Sequence, residues 1–241
     1  MPGCNFVLAI NKSNHSASDY IITLETIFFN QLKRRLAQAL NAKLPGADAQ
    51  QLMAPLGRSR ITPDESRLIN VRKAAVLALF IEKKKRPELV LILRTNYKGV
   101  HGGQISLPGG KVEPQDRNYR HTALRETHEE VGLAPENIDI IGQLSQLYIP
   151  PSNYLVQPYV GIFKGSAPYF EKEQQEVQEI FTVDINQLLA PQSISKQEVN
   201  ASGQSLQVPV FKIDQYVIWG ATAMMLSELR QALLQSTTAA Q

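Results

Sequence analysis

Three glutamates that lie close together in the sequence are the residues best suited to chemistry. Glu126, Glu129 and Glu130 fall in the segment RETHEEVGL. In a helix that turns about 100° per residue, their carboxylates share an arc of about 100°. The Glu126–Glu130 pair is unfavourable at i,i+4, and Glu129 and Glu130 lie in the last turn, where the helix dipole opposes anions. A bound cation would compensate for this arrangement.

The types of ligand indicate the kind of cation. Carboxylates without histidine or cysteine favour Mg²⁺ or Mn²⁺ over zinc, and Mg²⁺ commonly takes further ligands from substrate phosphates. A solvated acidic helix face is the alternative interpretation. The flanking residues favour the cation, because Arg125 is placed to pair with Glu129 at i,i+4, and Gly109 and Gly110 allow the backbone to approach a ligand closely.

The segment around these glutamates resembles the Nudix box. GGKVEPQDRNYRHTALRETHEEVGL follows the family's pattern of a glycine, a spaced acid, and then R-E-x-x-E-E-x-G with an aliphatic residue. It departs from the pattern by one extra residue between Gly110 and Arg125, by Asp116 in place of a glutamate, and by Thr127 in place of a larger aliphatic residue. The extra residue and the aspartate are similar to the coenzyme A (CoA) pyrophosphatase branch of the Nudix hydrolases.

A second motif, just before the box, also resembles that branch. The branch carries R-S-x-x-L-x-x-H-x-G-Q-x-x-F-P-G-G, and this chain has RTNYKGVHGGQISLPGG. The matching residues are Arg94, His101, Gly103, Gln104, Pro108, Gly109 and Gly110. Thr95 and Leu107 are mild departures, whereas Lys98 replaces an apolar residue. RKAAVLALF and VIWGATAMML are also similar to this branch, so the resemblance covers about residues 70–235.

The resemblance implies a reaction and roles for individual residues. The reaction is the hydrolysis of the diphosphate bond of CoA or an acyl-CoA to 3′,5′-ADP and 4′-phosphopantetheine, by attack of water at phosphorus. Glu126 and Glu130, assisted by Glu129, would bind Mg²⁺ or Mn²⁺, which neutralises charge and lowers the pKa of a bound water. The catalytic set would include Arg125, with Glu129 or Glu176 as general base. Substrate contacts are expected from Arg94, His101, Gln104, Gly109 and Gly110.

Three other functions stay open at this stage. The nearest is a Nudix hydrolase that acts on ADP-ribose, NADH or a nucleoside triphosphate; the motif before the box argues against it, and Lys98 leaves it open. Another is a non-catalytic Nudix ligand sensor, although such a domain would be expected to lack one or more of the box carboxylates. The third is a nucleic-acid binder that uses the basic run 83–86. The net charge of +3 is small for that class.

The composition limits the class of protein to which these residues belong. With 241 residues, 43% of them hydrophobic, the chain can build a core. Its single cysteine excludes an internal disulfide framework and a multi-cysteine zinc site. No run approaches the ~18 apolar residues of a membrane span, and the N-terminus does not read as a signal peptide. We therefore expect a cytoplasmic protein with a small-molecule substrate and no nucleic-acid or membrane partner; a homo-oligomer is compatible with the sequence.

Hydrophobic periodicity predicts a helical extension at the N-terminus. Apolar residues at three- and four-residue spacing predict a helix over 20–44, which Pro45-Gly46 ends. Residues 47–70 are predicted to form a connecting loop. We therefore place an N-terminal helical extension and linker at 1–70 and a Nudix hydrolase domain at 71–241.

Strand and helix patterns alternate in the rest of the chain, which is typical of the α/β class. AAVLALFI and LVLILR predict a β-hairpin with the basic turn KKKRPE. A helix over 117–131 carries the glutamates, with Asp116 as N-cap and Gly132 after its end. The other predicted elements are strands at 138–149, 154–163 and 177–183, a short helix at 184–189, a strand in SLQVPVFKI and a final helix at 219–234. The resemblance implies a Nudix-like α/β/α sandwich with a mixed twisted sheet.

Overall fold

The fold was obtained as a computed structural model, which describes residues 27–55, 70–95, 102–165, 168–201 and 204–238. Its helices are α1 (Phe29–Asn41), α2 (Gly46–Gln51), α3 (Tyr119–Val131), α4 (Ile185–Leu189) and α5 (Gly220–Thr238). Its strands are β1 (Arg72–Lys83), β2 (Arg86–Arg94), β3 (Ile105–Ser106), β4 (Gly109–Lys111), β5 (Ile138–Gln143), β6 (Leu147–Ile149), β7 (Tyr154–Phe163), β8 (Val177–Asp184), β9 (Ile194–Ala201), β10 (Gln204–Ile213) and β11 (Tyr216–Ile218).

A mixed sheet, eight-stranded in the described part of the chain, forms the centre of the fold. β1 pairs with β2 in the antiparallel sense and with β7 in the parallel sense. β2 also pairs with β3 and β8, while β7 pairs with β5 and β6. The short strand β4 pairs with β1 and places Gly110 opposite Ala75. The predicted mixed sheet is confirmed, and a separate antiparallel sheet with the order β9-β10-β11 accompanies it.

The two faces of β1 separate two apolar clusters. Ala75, Leu77 and Leu79 belong to the cluster that includes residues of α3. Ala78 and Phe80 belong to the cluster that includes residues of α1 and α5. Because side chains alternate across a strand, one apolar strand covers both faces of the sheet. The result is the expected three-layer α/β/α arrangement.

The predicted N-terminal helix begins too early. α1 starts at Phe29, whereas Ile27 and Phe28 are not helical. The Ile27 N–H donates to Asn186 Oδ1 (2.7 Å), and Asn186 Nδ2 donates to the Ile27 carbonyl (3.1 Å). This contact between distant segments occupies both backbone hydrogen-bonding groups of Ile27. Ile27 therefore does not join the helix that the spacing of apolar residues predicts. The part of the prediction before Ile27 lies outside the described residues.

The predicted loop over 47–70 is wrong at its start. Pro45 caps α2 instead of only ending the preceding helix, which stops at Asn41. Ala49 and Gln50 are buried, and the Ser227 hydroxyl of α5 donates to the Ala49 carbonyl (2.7 Å). Contact with α5 therefore stabilises a helix too short for periodicity to reveal.

The hairpin, the middle helix and the final helix follow the predictions. β1 and β2 are joined at Lys84 and Lys85, which adopt positive φ angles of 50° and 66°. α3 ends at Val131 with Gly132 as its C-cap, and α5 covers most of the predicted final helix. Among the residues that the structure describes, no helix is long and apolar enough to span a bilayer.

Candidate active site

The inner face of α3 presents two carboxylates to β4. Glu130 is 2% exposed, and its Oε2 accepts a hydrogen bond from the Gly109 N–H (2.8 Å). The Glu126 carboxylate lies against Gly110, so closely that an added Cβ there would be 2.5 Å from Glu126 Cδ. The two glutamates, one helical turn apart, therefore lie side by side against the backbone of β4.

The two glycines of β4 are required for different reasons. Gly109 has a φ of 144°, and a Cβ there would lie 2.5 Å from Val76 Cα on the neighbouring strand. That backbone is therefore compatible with glycine alone. Gly110 instead leaves space for the Glu126 carboxylate. The predicted close approach of backbone is thus an approach to β1 at Gly109 and to the Glu126 side chain of α3 at Gly110.

Arg94, at the end of β2, reaches the Glu130 carboxylate. Its Nη2 lies 2.8 Å from Glu130 Oε1 and donates to the Gly109 carbonyl (2.7 Å). Its Nε donates to Ser106 Oγ (3.1 Å). Glu176 Oε2 lies 4.0 Å from Arg94 Nη1. The sheet therefore places Arg94, from the motif before the box, next to a carboxylate of the box. Glu176, a predicted general base, lies near Arg94.

Asp116 is not the N-cap of α3, contrary to the prediction. Asn118 takes that position and its Oδ1 accepts from the His121 N–H (2.9 Å). The Asp116 side chain has no exposed surface and accepts two hydrogen bonds from Arg125, from Nε and Nη2, both at 2.9 Å. This pairing holds the pKa of Asp116 well below its usual range. Arg125 Nη1 also donates to Glu129 Oε2 (2.9 Å), which confirms the predicted i,i+4 pair.

Burial dominates the electrostatics of the two inner carboxylates. It raises the pKa of Glu130 to about 7, although the charge of Arg94 and the hydrogen bond from Gly109 act in the opposite direction. Burial also raises the pKa of Glu126, against the charge of Arg125. The negative charges of neighbouring glutamates raise both values further. The charges of Arg94 and Arg125 therefore do not fully offset the cost of burying these two negative charges.

The residues fit a hard divalent cation at the inner pair. Glu130 Oε1 is buried and accepts no hydrogen bond within the described part of the chain, even with Arg94 beside it. Within the same residues, no three carboxylate, imidazole or thiolate groups converge as a metal site. Glu129, the third glutamate of the box, has a half-exposed carboxylate that pairs with Arg125. Glu126 and Glu130 offer the oxygen ligands that Mg²⁺ and Mn²⁺ prefer.

The remaining predicted site residues are distributed around this centre. The Gln104 carbonyl accepts from the Arg94 N–H (3.1 Å), so Gln104 lies beside the site. Glu176 precedes β8, and its carbonyl accepts from the Thr95 N–H (2.9 Å). Its side chain is exposed. His101 lies outside the described residues.

A cavity of about 200 Å³ adjoins the two glycines. Arg94, Gln104, Gly109 and Gly110 line it, so four predicted substrate contacts share one space. The prediction missed the rest of the wall, which comes mainly from β1, β3, β6, β7 and α5. The one sequence signal for α5 was the similarity of VIWGATAMML to the CoA branch. The β1 residues of the wall lie in RKAAVLALF, which is also similar to that branch, whereas the wall residues of β6 and β7 carry no such signal.

Comparison with known proteins identifies the family. The model of the NUDIX domain matches residues 71–202. The uncharacterized Nudix hydrolase NudL of Photorhabdus laumondii subsp. laumondii is 33% identical over 172 residues, 71% of this chain and 91% of that protein. NudL of Escherichia coli (strain SMS-3-5 / SECEC) is 34% identical over 165 residues, 67% and 82% of the two chains. The MutT/nudix family protein from Enterococcus faecalis has a similar structure, with a TM-score of 0.46 and 14% identity over 88% of this chain and 81% of that one.

The family match spans more than half of the chain and includes β1, β4 and α3, the elements that form the carboxylate site. The relatives are similar over most of their own length as well. The chain therefore belongs to the Nudix hydrolase family.

Proposed function

We propose that this protein hydrolyses the diphosphate bond of CoA, or of an acyl-CoA, to 3′,5′-ADP and 4′-phosphopantetheine. The position of Arg94 carries the proposal. This arginine was selected by the motif of the CoA branch alone, and it contacts both Glu130 and the Gly109 carbonyl. Gln104, from the same motif, lines the same cavity. The residues that distinguish the branch therefore adjoin the residues that the whole family shares.

The proposal includes Mg²⁺ or Mn²⁺ as cofactor. Glu126 and Glu130 would hold it, with Glu129 assisting. When bound, the cation polarises a phosphoryl oxygen and lowers the pKa of a bound water. The buried Oε1 of Glu130 and the all-oxygen ligand set support this choice.

The other side chains of the site take defined parts in the reaction. A carboxylate accepts the proton of the attacking water, and Glu129 and Glu176 are the two candidates. Arg94 contacts a phosphate oxygen, for which a guanidinium is well suited. His101 is assigned a further substrate contact because it matches the histidine of the CoA-branch motif. Arg125 acts by holding Glu129, because its donors are engaged with Asp116, Glu129 and a backbone carbonyl.

A substrate panel tests the proposal. Purified protein is incubated with CoA, ADP-ribose and NADH, each with Mg²⁺ and with a chelator, and the products are identified. We expect 3′,5′-ADP from CoA in the presence of metal, with the other substrates slow. Turnover of ADP-ribose or NADH without CoA cleavage would replace the proposal with a Nudix hydrolase of another nucleoside diphosphate derivative. Absence of turnover with every substrate would favour the ligand sensor.

Charge-removing variants test the metal ligands. We expect Glu126→Gln and Glu130→Gln each to lower kcat/KM for CoA by at least about a hundredfold, because the cation supplies several kcal/mol of charge stabilisation. Circular dichroism should show an unchanged fold. Glu136→Gln, an exposed glutamate beyond the end of α3, is the matched control and should keep full activity. Full activity in both site variants would contradict the assignment.

A further inference from the structure

The cavity beside β4 has a wall that the proposed chemistry does not use. Ala74 and Val76 of β1, Ile149 of β6, Val156 of β7 and Met225 of α5 make this part aliphatic. The volume of about 200 Å³ corresponds to about seven water molecules at ~30 Å³ each. It is large enough for part of a substrate and too apolar to favour water.

Two residues connect the cavity to the carboxylate site. Gly110 lines the cavity and contacts the Glu126 carboxylate. Arg94 also lines the cavity and lies 2.8 Å from Glu130. Ala74 belongs to the apolar cluster on the side of the sheet away from α3. A ligand whose diphosphate lies at the carboxylates therefore has one flanking group within reach of the cavity.

We propose that the cavity binds the branched aliphatic arm of the substrate, the pantoyl end of 4′-phosphopantetheine, and not its 3′-phosphoadenosine end. This inference rests on the proposed function, since it takes CoA as the substrate. The arm carries two methyl groups, a hydroxyl group and an amide close to its phosphate. The nucleotide end carries a purine and a further phosphate with negative charge. The two ends therefore require different surroundings.

The charges around the cavity disfavour the nucleotide end. Both cations in the described lining already have carboxylate neighbours: Arg94 contacts Glu130 at 2.8 Å, and Lys111 lies 3.6 Å from Glu113. Because Arg94 is assigned to the diphosphate and Lys111 is mostly exposed, the described lining offers no buried cation to a 3′-phosphate placed against the aliphatic wall, where loss of water is costly. Methyl groups in the same place leave water favourably.

The polar and aromatic groups of the lining agree with this assignment. Tyr154 is the one aromatic residue among the described lining residues, and the Arg72 guanidinium covers one side of its ring at 4.3 Å. This cover leaves at most one face of the ring for a purine. Ser106 and Thr222 place hydroxyl groups in the lining, a common way to orient the hydroxyl and amide of a mainly apolar ligand.

Separate binding of the two products tests the proposal. Ala221, half-buried on α5, lines the cavity, and Ala221→Leu would fill part of it. Binding is measured by calorimetry on the full chain with Mg²⁺. We expect this variant to weaken 4′-phosphopantetheine by about tenfold or more and to leave 3′,5′-ADP unchanged. Ala37→Leu, a half-buried position on α1 outside the cavity, is the matched control and should change neither.

A measurement on the unaltered protein keeps the test decisive if Ala221→Leu folds poorly. With methionine methyl groups labelled with ¹³C, 4′-phosphopantetheine should shift the Met225 signal, and 3′,5′-ADP should not. Met53, which is buried away from the cavity, supplies the reference signal.

The outcomes separate this inference from the proposed function. A Met225 shift, or a binding loss in Ala221→Leu, seen with 3′,5′-ADP alone would place the nucleotide end in the cavity and overturn the proposal. CoA cleavage with no response of the cavity to either product would also overturn it, while the proposed function stands. Cavity binding of 4′-phosphopantetheine without CoA cleavage would support the subsite and refute the proposed reaction.

Discussion

At the scale of single residues, Asp116 contacts three side chains of α3, those of His121, Thr122 and Arg125, and Arg125 connects it to the glutamates of the box. Both of its carboxylate oxygens bind Arg125. Arg125 then holds Glu129, and its Nη2 lies 3.1 Å from Glu126 Oε1. Asp116 thus acts on the positions of the Glu126 and Glu129 carboxylates through Arg125.

Removal of the Asp116 charge gives a stability difference that depends on pH. We expect Asp116→Asn to lower the free energy of unfolding by about 3 kcal/mol at pH 7, because Arg125 loses its buried counter-charge. The folded-state pKa of Asp116 lies below its unfolded value of about 3.9, so this stabilisation is complete above that value and lost as the pH falls below it. Urea unfolding of both proteins at pH 7, 5 and 3 measures the difference. An unchanged difference at pH 3 would contradict the role of the charge.

At the scale of elements, β4 joins the sheet to α3 through its backbone. Val76 of β1 pairs with Gly109, whose N–H donates to Glu130. The next residue, Gly110, lies against Glu126. A strand of three residues therefore fixes the depth and direction of two carboxylates on a helix that packs over it.

Replacement of each glycine of β4 by alanine should affect a different property, stability for Gly109 and activity for Gly110. Gly109→Ala would clash with the Val76 backbone at a φ of 144°, so we expect a loss of about 2 kcal/mol or more in unfolding free energy. Gly110→Ala would instead displace the Glu126 side chain. We expect its unfolding free energy to change less, while its kcat/KM for CoA falls at least about tenfold.

Urea unfolding and the CoA assay, applied to both variants, distinguish these effects. Full activity in a folded Gly110→Ala protein would show that Glu126 tolerates displacement. Unchanged stability in Gly109→Ala would show that the local backbone relaxes at little cost.

At the scale of the whole molecule, α1 and α2 pack into the same core as the sheet. Leu32 and Leu36 of α1 belong to the cluster that includes α5 and one face of the sheet. The fully buried Glu228 of α5 accepts from Gln50 Nε2 (2.9 Å) and from the Ser145 N–H (3.1 Å). The division at residue 70 stays a prediction, and these contacts favour a single cooperative unit.

Unfolding of a core variant tests this cooperativity. We expect Leu36→Ala to cost about 2–5 kcal/mol and to move one common transition. Trp219, the single tryptophan, reports on the C-terminal part of the chain by fluorescence, and circular dichroism reports on all the helices. The two transitions should coincide and shift together. A tryptophan transition that stays in place would show that the extension unfolds independently.

The sequence by itself determined the parts that depend on neighbouring residues. The hairpin, α3 with its final Gly132, and the shared face of Glu126 and Glu130 follow from periodicity within one segment. Family membership follows from a motif that is itself a short segment. Such features are predictable because the period of a helix or strand determines which of its side chains share a face.

Only the tertiary structure decided the features that join distant segments. The start of α1 depends on Asn186, and Asp116 is a buried partner of Arg125 because the loop before α3 folds back onto that helix. Residues 194–199 of β9 are exposed or half-buried and mostly polar, so only the pairing with β10 reveals the second sheet. The cavity wall combines strands and a helix far apart in the chain. In each case the free energy comes from contacts between segments, which the pattern within any one segment does not contain.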